Sequence, residues 1–188
     1  MTITALDPKT ALIVVDLQKG IVARETAPYP VSSVVKNSVA LLDVFRKHKL
    51  PVVLVNVTGG APGRNEGPKM PASFPAEFAE LVPELKQQPS DHAVTKRTWG
   101  AFTNTDLDAW LKKNGVTQVV CCGVATSIGV ESTARFAQEA GYNITLATDA
   151  MTDMSADAHE NSVKRIFPRL GETGTTTEIL ALLEKRNG

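Results

Sequence analysis

Cysteine is almost missing from this 188-residue sequence: there are two, Cys121 and Cys122, and they are adjacent. Such a pair suits no disulfide framework, so a reducing cytoplasm is the expected setting. Long apolar runs are missing too. The longest near the start is Ala11-Leu12-Ile13-Val14-Val15, bracketed by Asp7 and Asp16, and no basic segment precedes it. Neither a membrane helix nor a signal peptide is expected. Neither sign of charge is in excess, because Lys+Arg and Asp+Glu each number 20. That balance argues against a large electrostatic footprint for nucleic acid or anionic lipid. Histidine is scarce: His48, His92 and His159 are dispersed with no ligand spacing, so no metal centre is expected. His48 and His159 fall on helical stretches and are expected at the surface. No G-x-S-x-G elbow occurs. No G-x-G-x-x-G fingerprint occurs either, and Asn56 and Thr58 stand where a ribose-binding acid would be needed. No cofactor is expected.

What remains is a regular alternation. Residues 11–16 and 52–57 are mostly β-branched apolar runs, as strands buried on both faces are, and 92–95, 117–122 and 143–147 read as further strands. Between them lie helix-length segments. Val31, Val34, Val35, Val39, Leu42 and Phe45 recur at helical spacing before Leu50-Pro51. A weak helix is expected near 76–87, and one capped by Thr105 runs to Lys113 with Leu107, Trp110 and Leu111 inward. Further helices are expected over 127–140, from Ser155 to Pro168, and over 177–186. Residues 58–75, rich in Gly and Pro, read as a long surface loop. Strands separated by helical crossovers predict a three-layer αβα domain spanning 1–188, with a doubly wound, mostly parallel sheet of about six strands.

In such a sheet, ligands bind beyond the carboxyl ends of the strands. Three positions there could carry chemistry: Asp16 after the first strand, Lys96 after the third, and Gly123–Gly129 after the fourth. An Asp ending an apolar strand costs desolvation unless it is paired or used, although it could simply cap the next turn. Lys96 could be a solvated loop cation, and Trp99 and Phe102 could be core. Glycines at the strand-to-helix turn let a substrate approach the backbone, and free amides in the first helical turn suit an anion.

These residues carry a resemblance. Val14-Val15-Asp16-Leu17-Gln18, Lys96 with Gly100-Ala101-Phe102, and Cys122 through Arg135 resemble, in order, the three motifs of the isochorismatase-like hydrolase superfamily. The segment I-G-V-E-S-T-A-R is similar to that of its YecD-like bacterial branch. The resemblance implies Asp16 as proton-transferring acid or base, Lys96 as charge stabiliser, and a cis Val124–Ala125 peptide. It implies substrate contacts at Gln18, Trp99, Phe102, Val124, Ala125 and Thr126. Cysteine-using members place their nucleophile at the position of Gly129, so covalent thioester chemistry is not expected here. True isochorismatases also carry glycine there and hydrolyse a vinyl ether through general-acid catalysis. They differ in having Tyr-Ala-His where this chain has Ala125-Thr126-Ser127, a wording nearer to the amidases. Metal-using nicotinamidases need Asp and His after the second strand, and residues 56–75 contain neither. The expectation is a small-molecule hydrolase without a cysteine nucleophile. The alternatives are a non-catalytic binding or assembly protein on the same fold, or a cysteine-independent amidase. A homodimer or larger homo-oligomer is expected from the same resemblance.

Overall fold

The computed structural model describes residues 3–67, 71 and 73–185. Residues 68–70 and 72 of the expected 58–75 loop, and residue 186 of the last expected helix, lie outside the described residues. In chain order the elements are β1 (Thr10–Val15), α1 (Lys19–Val22), α2 (Val31–Lys47), β2 (Val52–Val57), α3 (Ala76–Ala79), β3 (His92–Lys96) and α4 (Leu107–Lys113). There follow β4 (Gln118–Val124), α5 (Glu131–Glu139), β5 (Asn143–Thr152), α6 (Ala156–Asn161), α7 (Phe167–Leu170), β6 (Glu172–Gly174) and α8 (Thr176–Glu184). The six strands form one parallel sheet in the order β3-β2-β1-β4-β5-β6.

Alternate residues of a strand point to opposite faces, so an unbroken apolar run feeds two cores. Ile13, Val15, Val53, Val55 and Cys121 pack on one face with Leu107, Leu111, Ala134 and Phe167. Leu12, Val14, Leu54 and Cys122 pack on the other with Leu41, Leu42, Phe45, Ile179 and Leu183. Helices therefore cover both faces. Among the described residues, no helix is long and apolar enough to cross a membrane.

The strand order reverses between β1 and β4, and their carboxyl ends flank the switch point. Here the backbones approach closely. A Cβ on Gly123 would stand 2.0 Å from the Val15 carbonyl oxygen, and Gly123 has φ 118°, so only glycine fits. The β4–β5 register shifts between Cys121 and Gly123, and the Val124–Ala125 peptide that follows is cis.

Several local expectations are corrected. The 76–87 helix is only α3 and a 3-10 turn at Pro83–Leu85, interrupted where Leu81 pairs with Gln18 as an isolated bridge. Asp106 stands at the cap position of α4, while the Thr105 hydroxyl accepts from Leu107 N–H at 3.4 Å; Trp110 is partly buried against the core, as expected, and stacks on the His92 ring at 4.4 Å. The 127–140 helix opens as a π-type turn over Thr126–Val130. Pro168 does not end the segment begun at Ser155. A π-type turn over Ser162–Ile166 carries the helix into α7, whose second residue is Pro168.

Candidate active site

Asp16 is the first residue beyond β1 and adopts a left-handed conformation, φ 52°, which a short polar side chain tolerates. Its own N–H is anchored on the Val55 carbonyl at 2.9 Å. Lys96 ends β3, two strands away across β2, and spans that gap. Its Nζ donates to Asp16 Oδ2 at 2.7 Å and to the Thr98 carbonyl at 3.1 Å. The pair is almost closed off, with side chains 8% and 1% exposed for Asp16 and Lys96. Asp16 Oδ1 is buried and has no hydrogen-bond partner among the described residues. Burial pushes the carboxyl up to about 6, outweighing the neighbouring ammonium that pulls it down.

Gly129 completes the cluster. A Cβ there would lie 3.2 Å from Asp16 Oδ2 and 3.0 Å from Val15 Cγ1, so its bare Cα packs directly against the carboxylate. Thr133 Oγ1 donates to the Gly129 carbonyl at 2.7 Å and accepts from Ala101 N–H at 3.1 Å, fastening this turn to the segment that follows Lys96. Asp16, Lys96 and Gly129 therefore converge from three strand ends, as the sequence led us to expect.

The flanking positions are placed differently. Val124 and Ala125 border the cluster, and the Val124 carbonyl lies 3.5 Å from the same Cβ position on Gly129. Gln18 is fully buried, and its amide is consumed by backbone. Nε2 donates to Val57 and Phe78 carbonyls, each at 3.0 Å, and Oε1 accepts from Val57 N–H at 2.7 Å. It ties the strand ends together, with both amide hydrogens taken. Thr126 is buried and its hydroxyl pairs with His159 Nδ1 at 2.8 Å. Phe102 belongs to the core, stacked on Phe136 at 4.7 Å. Trp99 points outward and is 65% exposed.

Two residues behind the turn, His159 and Asp153, were not among the site candidates in the sequence. His159, expected at the surface, is buried between Thr126 and the Tyr29 ring, 5.6 Å away edge-on. Burial holds its imidazole below the ordinary histidine range, against the opposing pull of Asp153 and Glu160. Asp153 is buried just past β5; Oδ2 accepts from Ser127 N–H at 2.7 Å and Oδ1 from Met154 N–H at 2.8 Å. One amide of the turn expected to be open to an anion is therefore already satisfied. The signal for Asp153 was the one that flagged Asp16, a carboxylate at a strand tip. It was missed because β5 was expected to stop at residue 147.

Cys121 and Cys122 are buried within β4, and burial pushes both thiols up, Cys122 to about 12. Burial of this kind keeps a thiol in its protonated form. Among the described residues, no three His, Cys, Asp or Glu side chains gather as metal ligands. Two surface grooves, of about 540 and 420 Å³, open beside α2 and beside β3, and neither includes Asp16, Lys96 or Gly129.

The model of the isochorismatase domain matches residues 10–178, a span that holds every residue of the cluster. The chain belongs to the isochorismatase family. It is 46% identical over 179 residues to the uncharacterized isochorismatase family protein YwoC of Bacillus subtilis strain 168, covering 92% of this chain and 93% of that one. It is 40% identical over 182 residues to the family protein YecD of Escherichia coli O157:H7, covering 93% and 96%. Among solved structures, an isochorismatase family protein from Burkholderia thailandensis superimposes with a TM-score of 0.94 at 40% identity, over 97% of this chain and all of that one. The six-stranded parallel sheet flanked by helices is the isochorismatase-like fold.

Proposed function

We propose that this isochorismatase-family hydrolase acts on a small molecule without a covalent intermediate, with Asp16 transferring the proton and Lys96 stabilising negative charge. The observation that carries the reading is the state of Asp16. One oxygen is held by an ammonium, the other is buried and unpartnered, and burial brings the carboxyl near 6. A group with that affinity is available as acid and as base close to neutral pH, which is what general catalysis requires. Gly129 supplies no nucleophile, and the two cysteines lie inert in the sheet.

A vinyl ether shows how the geometry works. The proton on Asp16 Oδ1 passes to the terminal vinyl carbon, and the electron pair of the double bond forms the new C–H bond. The resulting oxocarbenium ion is captured by water, which returns a proton to Asp16. The hemiketal then divides into a ketone and an alcohol. Lys96 holds the carboxylate in place while it is charged. An amide would need the opposite first step, with Asp16 accepting a proton from water.

The test is a turnover screen of vinyl ethers, amides and imides with wild type and Asp16→Asn. Wild-type turnover, with kcat/KM reduced at least about 100-fold in Asp16→Asn, supports the reading. Full activity in that variant overturns the role of Asp16. Stoichiometric ligand binding without turnover overturns hydrolysis in favour of a binding protein.

A further inference from the structure

The turn at the site is held from behind by a row of polar groups that the proposed chemistry does not use. Thr126 Oγ1 pairs with His159 Nδ1 at 2.8 Å, Ser127 N–H donates to Asp153 Oδ2 at 2.7 Å, and Ser162 Oγ donates to Glu131 Oε2 at 2.6 Å. The turn and the start of α5 are thus tied to the segment that runs from the end of β5 through α6. Asp153, His159 and Ser162 are 3%, 5% and 0% exposed, so the row is out of water. Apolar residues would pack this junction without the cost of desolvating polar groups; what directional bonds add is a fixed position. The turn needs one. It is of the π type, a rare form that is frequent at functional sites, and Ile128 N–H and Val130 N–H share the Ala125 carbonyl at 3.2 and 3.1 Å.

We propose that His159 and Asp153 are positioning residues, which fix this turn so that Gly129 covers the Asp16 carboxyl and keeps water from it. The path between them is short. Thr126 and Ser127 stand three and two residues before Gly129, whose Cβ position is 3.2 Å from Asp16 Oδ2. Gly129 is buried and has no side chain with which to fill a gap, so a turn released from its tethers uncovers the carboxyl. Water admitted there removes the desolvation that raises the proton affinity of Asp16. Lys96 on β3 faces the same carboxyl and pulls the other way, while Asp153 and Glu160 face His159. The inference rests on the catalytic reading of Asp16 only for its consequence in turnover. The hold on the turn stands apart from that reading.

NMR titration of the Asp16 carboxyl carbon, its signal identified by loss in Asp16→Asn, tests this without any substrate. Wild type is expected to titrate near a midpoint of about 6. Thr126→Val deletes the hydroxyl, keeps the shape and changes no charge. It is expected to lower the proton affinity of Asp16 at least about 10-fold, and His159→Ala and Asp153→Ala are expected to act in the same direction. Thr126→Ser restores the hydroxyl and is expected to return the affinity to within about 2-fold of wild type. A wild-type midpoint in folded Thr126→Val, His159→Ala or Asp153→Ala overturns the proposal, even where the variant melts earlier, because a merely structural contact costs stability alone. So does a Thr126→Ser midpoint as low as that of Thr126→Val. Should Asp153→Ala fail to fold, Thr126→Val decides by itself. A wild-type midpoint in the ordinary carboxylate range overturns this inference and the role proposed for Asp16 together; one near 6 that no turn variant moves overturns this inference alone.

Discussion

Removing one member of the Asp16–Lys96 pair is expected to cost far more than removing both. At 2.7 Å the two charges attract by about 6 kcal/mol if the effective dielectric is about 20. Stripping water from each ion costs several kcal/mol, so the intact pair contributes little net stability. Breaking it leaves an uncompensated buried group, which typically costs about 3–5 kcal/mol. Asp16→Asn strands the ammonium with the Thr98 carbonyl as its remaining acceptor. Lys96→Met strands a carboxylate whose other oxygen already lacks a partner. At about pH 8 each single variant is therefore expected to lose about 3 kcal/mol, or a Tm fall of about 6–12 °C for a chain of this length. Asp16→Asn with Lys96→Met leaves no buried ion and is expected to lose no more than either alone, a coupling of at least about 3 kcal/mol. Urea unfolding followed by circular dichroism closes the cycle. Single losses that add in the double variant to within about 0.5 kcal/mol would refute the buried-pair energetics, and with them the reason given for the raised carboxyl.

Because the Asp16 carboxyl rises from 3.8 to about 6 on folding, its contribution is fully present below the unfolded value and lost as pH climbs through the folded one. That shift corresponds to about 3 kcal/mol, so stability measured from about pH 4 to 7 should fall in wild type relative to Asp16→Asn; parallel profiles would count against it. His159 has the opposite sign. Its imidazole is held below the ordinary value, so its contribution is present above pH 6.5 and lost as acid protonates it, and an NMR titration of the ring should report a depressed midpoint. Gly123→Ala should be among the most damaging single changes, at least about 4 kcal/mol, since its methyl group would overlap the Val15 carbonyl; a soluble variant with wild-type unfolding would contradict the close strand contact.

The layered architecture was legible because Ala11–Val15 and Val52–Val55 are apolar without interruption, the pattern of strands buried on both faces. The convergence of Asp16 and Lys96 was legible because each stands at the carboxyl end of an expected strand, although β3 is a half-exposed edge strand. The far end of β5 was not. Thr148 and Asp149 break the apolar run, yet the strand continues through them to Thr152, where the register shift beside Gly123 lets β4 and β5 stay paired. With β5 cut short, Asp153 looked like loop and His159 like a solvent-facing helical residue. Gln18, a motif residue beside the site, reads as a ligand contact in the sequence; in the structure its two-sided amide bridges backbone groups of Val57 and Phe78. Phe102 was weighed as core from the outset, and the stack on Phe136 decides it. Edge strand β6, three residues long with Glu172 and Thr173 in it, is too short and polar to register as a strand at all.

The carboxylate of Asp153 already answers the positive end of the helix that starts at the site. An incoming anion would have to compete with a covalently tethered, buried rival for the Ser127 amide. The nearby ammonium is likewise engaged. What the cluster leaves unanswered is one carboxyl oxygen, and that favours molecules that are uncharged where they meet it and able to exchange a proton there. Selection at this site should then follow proton affinity more closely than negative charge.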